Sequence, residues 1–208
     1  MLTMQAQRPR FHFDEAKATQ VASRLLEKSG GQMSHLALVK LLYIVDREAL
    51  ARWGRPVSGG EYYSMPHGTV ISPVVDLMRR IEGWDEPTFW TQHLTKMDNE
   101  MKLKEPAGED ELSDAEIALV DEIFEKFGKL SKWELRDLTH EFGEWHDPHG
   151  SSIPIGIDEV LHHVGKPAEQ IIEIIDELNE LQKVNALIGG SRRTTMRECQ
   201  LQSETLSR

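Results

Sequence analysis

The chain has 208 residues, of which 39% are hydrophobic and 28% charged, and its formal net charge is −11. This composition is typical of a globular protein, and the length favours one domain over two. The negative charge argues against unaided binding of nucleic acid, which needs a basic surface to neutralise phosphates. An acidic surface would suit a basic protein partner, although solubility alone would also explain it.

Nothing in the sequence predicts contact with a membrane. No apolar run approaches the roughly 18 residues that would span a bilayer. The first residues, MLTMQAQRPRFHF, lack the apolar centre of a secretory signal. The single cysteine, Cys199, cannot form an internal disulfide, which favours a reducing compartment. We therefore expect a cytoplasmic protein.

The first predicted helix starts after Asp14, a typical capping residue, and ends at Gly30-Gly31. Two glycines permit a sharp reversal, so this helix is expected to pack against the next one as a hairpin.

A central helix is predicted at about 34–53. Ser34 is expected to cap its start, and Gly54 to end it in a left-handed conformation. Apolar side chains recur at three- and four-residue spacings and cover most of its circumference. They include Leu36, Leu38, Val39, Leu41, Leu42, Tyr43, Ile44, Val45, Ala49 and Leu50. We therefore predict a helix that is buried on several sides.

The next stretch combines extended and turn signals. Residues 61–65 read as an extended segment, and Pro66-His67-Gly68 as a turn. Ser72 is predicted to cap a short helix that has Pro73 at its first position. Loose alternation of polarity predicts a small β-hairpin at about 88–104.

Two capping boxes predict the next helices. Ser113 and Glu116 start one helix, and Ser131 and Glu134 start the other. In the second helix we expect three side chains to face inward, those of Trp133, Leu135 and Leu138.

The last third of the domain begins with an irregular loop at 142–156. A short helix over 157–164 follows, and then a final helix from Pro167. Residues 1–10 and 190–208 lack a pattern and are predicted to be disordered tails. The fold prediction is a mainly α single domain over 11–189, a helical bundle around the central helix.

Histidines suggest a metal site only weakly. His140, His146 and His149, with Asp147 or His67, could supply zinc ligands, but their spacing matches no zinc-protease motif. Such residues also cap helices and hold turns, so we predict no metal and no other cofactor.

No catalytic arrangement is visible either. Asp46 is the best candidate for an unusual carboxylate, and we expect it to pair with the neighbours of Arg47 or with solvent. The sequence therefore predicts a protein that is not an enzyme.

Aromatic residues in the loops are the better functional candidates. Exposed aromatic side chains anchor protein interfaces, whereas buried ones would seal the core under the loops, and the sequence leaves both open. We predict that the partner-binding residues are Tyr62, Tyr63, His67, Trp90 and Trp145.

Four segments in this order resemble the Panacea domain of SocA-like and phage-associated GepA-like antitoxins. They are Lys40-Leu41-Leu42-Tyr43, Gly54-Arg55-Pro56, His67-Gly68-Thr69-Val70 with Pro73, and Leu138-Thr139-His140 with Trp145. The resemblance covers roughly residues 15–150. Thr69 and Glu144 depart from the family pattern, since proline is common at both positions, so we expect both turns to be less rigid.

The resemblance implies a mainly helical antitoxin, bacterial or phage-encoded, that neutralises its toxin by direct protein contact. It also implies an alternative, in which the protein is an adaptor that delivers the toxin to a cytoplasmic protease, with the polar tail as a tether. A metal-dependent enzyme is the third hypothesis. The sequence does not identify the toxin, the binding face or the oligomeric state.

Overall fold

The computed structural model describes residues 8–80 and 86–184, and the fold prediction of a mainly α protein is confirmed there. The helices are α1 (Glu15–Lys28), α2 (His35–Trp53), α3 (Ser72–Arg79), α4 (Phe89–His93), α5 (Asp114–Phe127), α6 (Lys132–His140), α7 (Ile157–His163) and α8 (168–184). The strands are β1 (Gln32–Ser34), β2 (Tyr62–Met65), β3 (Gly68–Ile71), β4 (Leu94–Met97), β5 (Glu100–Leu103) and β6 (Ile153–Ile155). None of the helices described is long and apolar enough to cross a membrane.

The strands form two small antiparallel sheets. One has the order β1-β5-β4, with Met33 opposite Met101. The other has the order β3-β2-β6, with Tyr63 between Val70 and Pro154. Strands β1 and β6 pair with segments far away in the sequence, and for that reason no local pattern predicted them.

Helix α2 lies in the core. It contacts α1, α3, α5, α6 and α7 as well as strand β3. Leu38, Leu42 and Val45 are completely buried. Gly54 ends the helix in the predicted left-handed conformation, with φ of 72°. A side chain at this glycine would collide with Ile174 of α8, because its Cβ would lie 2.9 Å from Ile174 Cδ1.

The start of α2 differs from the prediction. Ser34 makes no capping hydrogen bond, and its buried hydroxyl has no partner among the described residues. Instead, the amide of His35 donates to the carbonyl of Asn99 at 2.9 Å. The β4–β5 turn thus satisfies a free amide of the helix, which is the role expected of the serine.

Helix α1 and the two helices with capping boxes, α5 and α6, start as predicted. The Asp14 carboxylate accepts from the amide of Lys17 at 3.0 Å, and Ser113 and Ser131 form complete capping boxes. The helix predicted at Ser72 also forms, but Ile71 is its capping residue.

The predicted hairpin at 88–104 is shorter than expected. Its strands begin only at Leu94, because the preceding residues form α4. Thr88 caps this short helix in a capping box with Thr91, and Glu15 of α1 accepts a hydrogen bond from the amide of Trp90 at 3.0 Å. The capping chemistry therefore overrides the loose alternation that suggested a strand.

Most of the predicted tails lies outside the described residues, namely 1–7 and 190–208. The described part of the first tail makes contacts: Arg8 donates to the carbonyl of Pro154 at 3.2 Å, and Arg10 forms an ion pair with Glu61. Trp84 and Cys199 also lie outside the described residues.

Candidate functional site

Four polar side chains of α2 turn away from solvent, and each is held by another segment of the chain. They are Lys40, Tyr43, Asp46 and Arg47, which lie at three- and four-residue spacings along one side of the helix. Three of them, Lys40, Tyr43 and Asp46, are at most 1% exposed. Burial of charge is costly without partners, so the contacts of these residues decide what the site can do.

Asp46 binds the loop that follows α2. Its carboxylate accepts hydrogen bonds from the amides of Val57, Ser58 and Gly59 at 2.7–3.0 Å, and from the hydroxyl of Tyr62 at 3.1 Å. Burial raises the pKa of Asp46 to about 6, whereas these donors act to lower the pKa. The expectation that Asp46 pairs with the neighbours of Arg47 or with solvent is wrong, because Asp46 is fully buried and binds the amides of the next loop.

Tyr43 and Arg47 bind the loop that follows α6. The Tyr43 hydroxyl and Arg47 Nε both donate to Glu144 Oε1, at 2.9 and 2.7 Å. The Arg47 guanidinium carbon also lies 4.1 Å from the ring centre of Phe142. Burial, and then the charge of Glu144, raise the pKa of Tyr43 well above its usual value. Glu144 is fully buried, so its carboxylate anchors the loop after α6 to α2.

Lys40 supports the hairpin formed by β2 and β3. Its ammonium donates to the carbonyl of Thr69 at 2.6 Å. Burial lowers the pKa of Lys40 to about 7. A side chain at the neighbouring Gly68 would collide with Thr139 of α6, and its Cβ would also crowd Lys40 Nζ at 3.1 Å. The glycine therefore lets the hairpin pack directly against α2 and α6.

The tip of this hairpin lies beside α6 and the following loop. Trp145 Nε1 donates to the carbonyl of Met65 at 3.2 Å, and the Trp145 ring stacks on His140 with 4.0 Å between ring centres. His67 at the tip contacts Trp133 edge-on, with 6.3 Å between ring centres. Burial, followed by the charges of Arg136 and Lys40, lowers the pKa of His140. The hairpin tip and α6 thus form one continuous surface.

The predicted partner-binding residues fall into two groups. Tyr62 and Trp90 are 2% and 1% exposed, so the expectation that they are exposed anchors is wrong. Tyr62 packs edge-on against Tyr43 and bonds to Asp46, whereas Trp90 belongs to the core beside α1. Tyr63 and Trp145 are half-buried and His67 is exposed, so these three side chains can reach a partner.

Tyr62 and Tyr63 also line a cavity of about 250 Å³. It lies between the segment Arg8–Arg10 and strands β2 and β6, and Pro154 and Ile155 complete its apolar side. The two arginines at its rim are already engaged with Pro154 and Glu61.

Trp133 is exposed, so the prediction that it faces inward is wrong. The residue is 47% exposed. Leu135 is fully buried, and a residue two positions earlier on a helix lies about 200° around the axis. That offset from Leu135 was the signal for an outward-facing Trp133.

The histidines proposed as zinc ligands do not converge. Within residues 8–80 and 86–184, no group of three His, Cys, Asp or Glu side chains could hold a metal ion. His140 stacks on Trp145, His146 bonds to Glu159, and His149 lies beside Asp147. Each of them therefore makes a separate local contact.

Comparison with known proteins gives one match. The family model described as "Antitoxin SocA-like, Panacea domain" matches residues 38–146, which is more than half of the chain. No curated protein and no solved structure matches. The matched range contains Lys40, Tyr43, Asp46, Arg47 and Glu144, together with the hairpin and α6. The chain therefore belongs to the SocA-like antitoxin family that carries the Panacea domain.

Proposed function

We propose that this protein is the antitoxin of a toxin–antitoxin pair and neutralises its toxin by direct protein contact. The family match over residues 38–146 is the observation that carries the proposal. The proposal includes a cytoplasmic pair in a bacterium, encoded by the bacterium or by a phage. The polar residues of α2 support a binding role, because their hydrogen bonds go to the protein's own loops and brace them.

The contacts we propose are the half-buried or exposed members of the predicted set, Tyr63, His67 and Trp145. Tyr63 lies in β2, His67 in the β2–β3 turn and Trp145 in the loop after α6. The buried charges of Asp46, Lys40 and Glu144 hold the segments around these three residues in place. Loops on a rigid scaffold commonly carry recognition, since little conformational entropy is lost when a partner binds.

Co-expression with the product of the neighbouring gene tests the proposal. We expect that product to arrest growth when expressed alone, and this protein to restore growth and to elute with it as one complex in size-exclusion chromatography. The control is a copy of this gene with a stop codon near its start, which separates the protein from its RNA. Failure to restore growth, together with the absence of a complex, would end the antitoxin proposal.

The half-life of the toxin in the same strains distinguishes blocking from delivery to a protease. If the protein blocks the toxin, the toxin accumulates in the complex and keeps its half-life. An adaptor would instead shorten the half-life of the toxin, and the effect would disappear in a strain without the protease. We favour blocking, since the hydrogen bonds of the buried polar residues of α2 brace a scaffold for binding.

A further inference from the structure

A surface centred on Trp133 stands out from the rest of this acidic protein. It consists of the side chains of His67, Lys132, Trp133 and Arg136, and we call it the Trp133 surface. Scattered exposed apolar residues are normal and need no explanation. Trp133 differs because it is nearly half exposed and is surrounded by ordered neighbours on two elements.

The elements that carry the Trp133 surface are held in place before any partner binds. The capping box of Ser131 and Glu134 fixes the start of α6, immediately before the tryptophan. On the other side, Lys40 and Trp145 bind backbone carbonyls of the β2–β3 hairpin that carries His67. A large, rigid aromatic side chain loses little entropy on binding, which is the property of an interface hot spot.

Two cations lie against the ring. Lys132 Nζ is 5.2 Å and the Arg136 guanidinium carbon 5.0 Å from the centre of the Trp133 ring. Within the described part of the chain, the Lys132 ammonium makes no hydrogen bond or ion pair. It can therefore donate a hydrogen bond to a carboxylate of a partner.

The nearby carboxylates of α6 are already engaged. Glu134 accepts a hydrogen bond from the Ser131 amide at 2.8 Å, and Asp137 pairs with Arg136, whose Nε lies 2.7 Å away. Of the two cations at this surface, Arg136 has an ion pair with Asp137 and Lys132 has none among the described residues. On a chain with a net charge of −11, α6 thus presents an exposed indole flanked by two cations.

We propose that the Trp133 surface docks a short acidic segment of the toxin that carries an aromatic or aliphatic side chain. The apolar side chain packs on the exposed part of Trp133 and against His67, and a carboxylate pairs with Lys132. This inference rests on the proposed antitoxin function and adds the face and the chemistry of the contact. It also orients the complex, because the negatively charged remainder of the protein repels an acidic segment.

The test is a binding titration of the full chain against the purified product of the neighbouring gene. We expect Trp133→Ala and Lys132→Glu each to weaken binding by about tenfold or more, and Lys132→Gln to weaken it less. The wild-type affinity should fall between about 50 and 300 mM salt, and the affinity of Lys132→Glu should fall less steeply. Met97→Ala and Lys96→Glu, both exposed on β4, are the matched controls and should stay within about twofold of wild type.

Melting temperatures show whether the variants remain folded. Trp133 and Lys132 support no core contact of the kind that Leu135 makes, so both variants should melt within about 3 °C of wild type. If Trp133→Ala melts much lower, Lys132→Glu decides the question, because its charge change is confined to the surface.

Several results would overturn the proposal. A wild-type complex that both variants leave unchanged removes the Trp133 surface but keeps the antitoxin function, whereas the absence of any wild-type complex removes both. Tighter binding by Lys132→Glu would mean a basic partner segment. Binding of labelled single-stranded RNA that Trp133→Ala abolishes would assign the surface to nucleic acid, and loss of a dimer without loss of toxin affinity would assign it to a second copy of the chain.

Discussion

The Tyr43 hydroxyl donates a hydrogen bond of 2.9 Å to Glu144 Oε1, and both groups are buried. The bond ties the middle of α2 to a loop that follows α6, 101 residues later in the chain. Through Phe142 and Trp145 this loop contacts Arg47 and the β2–β3 hairpin. One carboxylate therefore fixes the position of several elements at the candidate site.

Replacing Glu144 is predicted to cause a large loss of stability. Glu144→Ala leaves the buried Tyr43 hydroxyl without an acceptor and the Arg47 guanidinium without its ion pair. Breaking a buried pair in this way costs about 3–5 kcal/mol. Urea denaturation of the purified protein measures the loss.

The control for Glu144 is Glu48, whose ion pair with Arg52 is more than one-third exposed. Glu48→Ala should cost less than about 1 kcal/mol, because water screens an exposed pair. Equal effects of the two substitutions would mean that Glu144 is not the anchor of its loop.

Lys40 gives a prediction about pH. Burial lowers its pKa to about 7 in the folded protein, against a usual value near 10.5 in the unfolded chain. Between these values the unfolded state binds more protons, so the free energy of unfolding rises with pH. The rise is up to about 1.4 kcal/mol per pH unit, and it begins near pH 7.

Lys40→Met removes this contribution. The difference in unfolding free energy between wild type and Lys40→Met should therefore move in favour of wild type as the pH rises from 7 to about 10. Chemical denaturation at four or five pH values measures it. A constant difference over that range would show that Lys40 keeps its ordinary pKa in the folded state.

The burial of these charges could have been inferred from the sequence. The predicted α2 is apolar around most of its circumference, so a polar residue such as Lys40 or Asp46 has few directions in which to reach water. What the sequence could not supply is the partner of each charge. Asp46 binds amides of the next loop, but Glu144 comes from the far end of the matched segment, and only the folded chain brings it to Tyr43.

The wrong predictions for Trp133 and Trp90 have different physical reasons. The capping boxes are local, so the starts of α5 and α6 follow directly from the sequence. The direction of Trp133 follows from the helical offset to Leu135, which the sequence also contains. The burial of Trp90 depends on contacts with α1, including the hydrogen bond from its amide to Glu15. The prediction of a hairpin at these residues did not include that packing.

Trp90 should therefore act on stability rather than on recognition. Trp90→Ala removes a side chain that is 1% exposed, and a cavity of this kind costs about 3–5 kcal/mol. Tyr63→Ala, at a half-buried position between Val70 and Pro154, should cost about 1 kcal/mol. Thermal unfolding measures both, and a stable Trp90→Ala variant with reduced toxin binding would restore the original assignment of Trp90 as an anchor.

The C-terminal segment gives the last prediction, which concerns the choice between blocking and delivery. Deleting residues 190–208 removes none of the described contacts, because α8 meets the core through Ile174 and Leu178 before that point. We expect this deletion to leave toxin affinity within about twofold and the melting temperature unchanged. Deleting 167–208 is the control, since it uncovers the end of α2 at Gly54 and should lower the melting temperature. The half-life of the toxin in cells completes the measurement. If the protein blocks the toxin, the half-life is the same with the full chain and with the deletion of 190–208. A half-life that lengthens only in the strain with that deletion would identify the segment as the tether of an adaptor.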